Sequence, residues 1–184
     1  MATDTAYLDR YEQILSDGLV KVCQSKGVLS TELLSCPDVE GKWNDYVKDY
    51  VADAVENFND YPEASLAWAA FLGMGVANNW DKDWDAHKDD SYSSYYGSRG
   101  WDDMDENILY NRLHLDPEWA AKVSSAMESC AAATLGLIRH EQIEPQTELG
   151  FYILNRSYNV MFRVGESVEL ERLGYKKVRI DSIR

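Results

Sequence analysis

Leu66-Ala-Trp-Ala-Ala-Phe-Leu-Gly-Met-Gly-Val-Ala77 is apolar on nearly every side of a helix drawn through it. A surface helix carries an apolar stripe, whereas one that is apolar all round belongs at the centre of a bundle. The stretch falls well short of the roughly 20 apolar residues that cross a bilayer. Ala69, Ala70, Gly73, Gly75 and Ala77 would let neighbouring backbones approach closely. Each glycine costs about 1 kcal/mol against alanine inside a helix, so Gly73 and Gly75 imply tight packing or a local bend. Just upstream, Asn59-Asp60-Tyr61-Pro62-Glu63 has the chemistry of a helix start: a capping side chain, an early proline and an acid in the first turn.

Helical periodicity extends to both sides. Trp43, Tyr46, Val47, Tyr50, Val51, Ala54, Val55 and Phe58 form one stripe, with Asp45, Lys48, Asp49 and Glu56 opposite. Earlier, Tyr7, Leu8, Tyr11, Ile14, Leu15, Leu19 and Val22 mark another apolar face, stopped by Lys26-Gly27. A short helical turn is expected at Thr31 to Ser35, ended by Cys36-Pro37. Downstream, Met104 to Leu115 reads as a short helix, and Asp116-Pro117-Glu118 opens a long one that Pro145 interrupts. Thr147-Glu148 caps a last long helix, and Gly165 and Gly174 frame a separate short piece, Ser167 to Leu173. The expected fold is all-α: a single-domain bundle of about five principal helices over residues 1–174, followed by a short basic arm, residues 175–184.

Bulk composition narrows the function. The 184 residues include 45% apolar side chains, six Trp and twelve Tyr, enough for a sizeable core. The formal charge of −14 disfavours nucleic acid, whose phosphates are bound by Lys and Arg. It equally disfavours an anionic membrane surface. A basic protein or a cation is the partner this charge attracts. The first residues have no positive n-region and no apolar h-region, and Cys23, Cys36 and Cys130 show no ligand spacing. The expectation is a cytoplasmic protein with reduced thiols.

The central helix hands over near Trp80 to an acidic, aromatic-rich connecting segment, residues 81–106. Long ordered connections in compact domains are often functional. Trp80, Trp84, Tyr95, Tyr96, Arg99 and Trp101 have the composition of a recognition surface: large rigid rings, with a guanidinium for stacking or ion pairing. The other reading of the same residues is a loop folded back on the bundle, with Trp101 plugging the core.

Metal chemistry is the alternative. Asp81-Lys-Asp83-Trp-Asp85 begins like an EF-hand loop, but Ala86 stands where the sharp turn needs Gly and Tyr92 where a bidentate Glu should close the cage. On a continuing helix Asp81 and Asp85 share a face, as do His140 and Glu144. Two such faces meeting would hold a divalent metal ion and support a hydrolase-like enzyme. His140-Glu141-Gln-Ile-Glu144 resembles half of a zinc-protease helix, with Glu replacing the second His. Glu141/Glu144 and Glu166/Glu169 are similar in spacing to the paired acids of metal-dependent helical nucleotide pyrophosphatases, although Pro145 follows the first pair at once. A third reading is a small-molecule pocket walled by Trp68, Trp80 and Trp84 without catalysis. Finally, residues 172–184 carry a local +4 within a chain of −14. The basic arm would lie across the acidic segment of its own chain or of a second copy, giving a homo-oligomer.

Overall fold

The computed structural model describes residues 4–57 and 62–177, and these form an all-α bundle. Five long helices, α1 (Thr5–Ser25), α2 (Pro37–Asn57), α3 (Pro62–His87), α5 (Pro117–His140) and α6 (Glu148–Arg172), are joined by α4, the single turn Met104–Glu106. Among the described residues there is no strand, only an isolated bridge between Gly97 and Gly100. No helix of the described residues is long and apolar enough to cross a membrane.

Most helix starts follow from side-chain chemistry. Asp4 caps α1 by accepting the Tyr7 N–H at 3.1 Å, Asp116 caps α5 through the Trp119 N–H at 2.8 Å, and Thr147 caps α6 through the Gly150 N–H at 3.0 Å. Gly27, at φ +76°, ends the first helix in the left-handed conformation that glycine adopts freely. Phe58 and the proposed cap at Asn59–Tyr61 lie outside the described residues.

The all-apolar stretch lies at the centre, as its composition demands. Every residue from Leu66 to Asn79 is buried except Trp68, which is half-buried. α3 packs on α2, α4, α5 and α6, and its broadest neighbour is α6. The two glycines that permit this sit one on each helix. A Cβ on Gly73 would collide with the Phe162 carbonyl oxygen, and one on Gly165 with the Ala70 carbonyl oxygen. Backbone therefore meets backbone across the α3–α6 crossing.

That crossing explains one departure from the expected boundaries. The expected boundaries set off a short piece, Ser167 to Leu173, framed by Gly165 and Gly174, but α6 runs unbroken to Arg172. Close packing at Gly165 outweighs its poor helix propensity. A second departure is at Thr31 to Ser35, which is not helical. Here α6 side chains satisfy the backbone instead: Ser167 Oγ accepts the Leu34 N–H at 2.9 Å and donates to the Leu34 carbonyl at 3.2 Å, and Glu166 accepts the Cys36 N–H at 3.1 Å. A third lies after α4, where the expected helix continues as a π-helical turn, Asn107–Arg112.

Candidate functional site

The acidic, aromatic segment proves to be two things. Its first part is helix: α3 continues to His87, with a break at Asp83, whose backbone is extended (φ −168°, ψ 88°). Asp81, Asp83, Asp85 and Asp89 are exposed along this end, while Trp80 and Trp84 are half-buried against the bundle. The remainder turns back along α2. The Tyr46 hydroxyl donates to the Asp90 carbonyl at 2.6 Å, and the hydroxyls of Tyr92 and Tyr96 both donate to the Asp53 carboxylate.

The six residues expected to form one recognition surface are therefore divided. Tyr95 is core, 1% exposed, its hydroxyl accepting from Asn79 Nδ2 at 3.0 Å and its ring covered by the Arg112 guanidinium at 4.6 Å. Trp101 is core, 8% exposed, with its ring 5.9 Å from that of Trp68, whose Nε1 donates to the Trp101 carbonyl at 2.8 Å. Tyr96 is half-buried on Asp53; burial, then the hydrogen bond to that carboxylate, push its phenol up to about 12. Arg99 is exposed and stands 3.6 Å from Asp103. Trp80 faces another neighbourhood, donating from Nε1 to Asp38 at 3.1 Å and lying 5.4 Å, ring to ring, from Tyr175. The apolar rings at the middle of the segment went to the core because burial of a Trp or Tyr outweighs exposure in a loop.

At Trp80 there is a cleft of about 430 Å³, walled by Trp80, Tyr175, Leu170, Pro37 and residues 33–36. Its volume is in the range of ligand pockets. Of the three tryptophans expected to wall a pocket, Trp80 lines this cleft and Trp68 and Trp84 do not. The start of the basic arm closes one side: the Tyr175 hydroxyl donates to Asp81 at 2.7 Å and Lys177 pairs with Glu32 at 3.1 Å. These contacts are made within the chain. The arm beyond Lys177 lies outside the described residues.

The metal constellation does not assemble. Asp81 and Asp85 share no regular helical face, because the break at Asp83 falls between them. Asp81 is engaged by Tyr175 and Asp85 lies 3.6 Å from Lys88. His140 and Glu144 are exposed around the end of α5, and no group of three or more His, Cys, Asp or Glu able to hold a metal ion occurs among the described residues. Glu166 and Glu169 are fully buried in the core. Burial first, and the Glu40 carboxylate second, push the Glu166 carboxyl up to about 8; the Cys36 N–H and Arg163 pull the other way. One of its oxygens, Oε2, has no hydrogen-bond partner.

Two arrangements escaped the sequence. Cys23 of α1 and Cys130 of α5, both fully buried, bring their sulfurs to 3.6 Å, although 107 positions separate them. Glu169 holds Arg172 through two hydrogen bonds at 2.6 and 2.8 Å and also accepts from Asn78 Nδ2 at 2.9 Å. The only available signal was Glu and Arg three apart on a helix, a spacing found on many exposed faces. Compared with protein families, curated proteins and solved structures, the chain gives no match.

Proposed function

We propose that this chain is a cytoplasmic interaction protein that holds a basic protein partner against the acidic C-terminal end of α3. One observation carries the reading: Asp81, Asp83, Asp85 and Asp89 remain exposed beside half-buried Trp80 and Trp84. The recognition surface is thus smaller than the sequence suggested, because Tyr95 and Trp101 belong to the core. Acidic groups steer a cationic partner and set its register, while the aromatic pair supplies desolvated contact area. The neighbouring cleft, about 430 Å³, offers a place for a partner side chain to lodge beside the packed rings of Trp80 and Tyr175. Three unbridged cysteines suit the reducing cytoplasm.

The test compares two charge reversals of equal size. Asp81→Lys/Asp83→Lys/Asp85→Lys alters the proposed face; Asp17→Lys/Glu118→Lys/Glu128→Lys alters exposed acids elsewhere. Tagged wild type and both variants are purified from the cells that make the protein, and bound proteins are quantified by mass spectrometry. The expected result is a basic protein retained by wild type and the second variant and lost by the first. Equal capture by all three, or no basic protein enriched by wild type, would refute the proposal.

A further inference from the structure

The end of α6 is built to redirect the chain. Gly174 takes the left-handed conformation (φ +100°), its N–H bonding to the Glu171 carbonyl at 2.9 Å, and the Tyr175 N–H bonds to the Leu170 carbonyl at 3.0 Å. These two bonds close the last turn on a glycine and lead the chain away from the helix axis. Residues 175–177 then cross the molecular surface as a strap. The Tyr175 ring lies 5.4 Å from that of Trp80, its hydroxyl donates to Asp81 at 2.7 Å, and the Lys177 ammonium stands 3.1 Å from Glu32.

Space remains on both sides of the strap. Residues 175–177 line the cleft of about 430 Å³ at Trp80, and they also line a second cleft of about 390 Å³, bounded by Ser30, Thr31, Glu171 and Gly174. A segment with open volume on either side lies across a groove without filling it. Its contacts are exposed as well: Tyr175 is 40% and the Lys177 side chain 62% accessible. Exposed ion pairs hold weakly, so a segment that fills the groove better can displace the strap.

The groove selects what can replace it. Leu34, Pro37 and Leu170 join Trp80 in giving the first cleft an apolar lining. Apart from the strap's own lysines, the charged residues that line the two clefts or bond to the strap are Asp38, Glu171, Asp81 and Glu32, all of them acids. A ring for the apolar lining and cations for the rim are what Tyr175-Lys176-Lys177 supplies.

We propose that this groove is the docking site of a basic segment bearing an aromatic side chain, and that Tyr175, Lys176 and Lys177 occupy it in the free chain as a displaceable substitute. The inference rests on the reading of the acidic end of α3 as a partner site and narrows it: the partner segment replaces the strap, setting a ring against Trp80 and a Lys or Arg against Glu32. A tethered occupant competes at high effective concentration, so the strap sets the affinity that a partner must exceed.

The experiment titrates a fluorescein-labelled synthetic peptide with the sequence of residues 174–184 into full-length chains at physiological salt, followed by fluorescence anisotropy. Wild type should bind the peptide weakly, because its own strap is in place. Tyr175→Ala/Lys177→Gln, changed only at exposed side chains, should bind it about tenfold more tightly with unchanged circular dichroism. In that background Asp81→Asn should weaken binding about three- to tenfold. The same peptide carrying Tyr175→Ala should bind the double variant at least about threefold less well than the unaltered peptide. The proposal is overturned if the double variant binds no more tightly than wild type, if Asp81→Asn has no effect, or if the peptide without its tyrosine binds equally well, which would reduce the attraction to net charge. The peptide needs no cellular partner, so this titration and the capture from cells can fail independently.

Discussion

Replacing Glu166 by Gln should remove a large pH dependence of stability. The carboxyl lies in the contact between α6 and the connection that precedes α2, with one oxygen on the Cys36 N–H and the other without a partner. Burial lifts its proton affinity from the ordinary 4.5 to about 8. Each tenfold change in that affinity corresponds to about 1.4 kcal/mol, so the ceiling on its effect is about 5 kcal/mol. The native chain binds this proton more tightly than the unfolded chain, so folding takes up a proton between the two values and stability falls as pH rises. The contribution is complete below 4.5 and gone above about 8. Glutamine keeps an acceptor for the Cys36 N–H and cannot ionise. Urea titrations of wild type and Glu166→Gln from about pH 5 to about pH 9 should therefore diverge, the variant gaining on wild type by several kcal/mol as pH increases. Asp105, pushed up to about 6 chiefly by burial, bends both curves in the same way and cancels in the difference. Parallel curves would refute the reasoning, because a buried, half-satisfied carboxylate cannot be indifferent to its own ionisation.

Gly165→Ala should destabilise the protein by about 1–3 kcal/mol in urea titration although alanine is the better helix former, because its methyl group meets the Ala70 carbonyl; a stabilised variant would contradict the close crossing. Trp101→Ala should cost about 3–5 kcal/mol, and an unchanged melting temperature would return that ring to the surface. With hydrogen peroxide, the Cys23 and Cys130 thiols should form a disulfide, each peroxide yielding two waters. Closing a loop of that length should stabilise the chain by up to about 4–5 kcal/mol, and peptide mapping that finds no bond between these two positions would exclude it.

Some of this architecture was legible in the sequence because it depends on local chemistry. The all-round apolarity of Leu66–Ala77 placed α3 at the centre, and Asp116-Pro117, Thr147 and Lys26-Gly27 marked helix ends that the structure places within a few residues. What was not legible depends on partners remote in the chain. The Leu34 and Cys36 N–H groups find their acceptors 133 and 130 positions downstream, so no local pattern could show that Thr31 to Ser35 is not helical. Gly165 looks like a helix breaker until Ala70 is set against it. Tyr92, Tyr95 and Trp101 have the same composition whether they face a partner or a core, and only packing sorts them. The reading of Asp81 and Asp85 as a shared face assumed a regular helix through Asp83, where the backbone is extended. The paired thiols were hidden for the same reason: each faces a neighbour on another helix.

The crossing of α3 and α6 also bears on how the chain is made. α3 emerges from the ribosome with an apolar surface on nearly every side, and α6, which covers most of it, follows the other four long helices. During translation the nascent chain holds an exposed greasy rod for the time needed to add the 85 residues between His87 and the end of α6. Such intermediates are prone to aggregation. α1, α2 and α5 can shield only part of it, so any truncation that removes α6 converts the core helix into a target for chaperones and proteases.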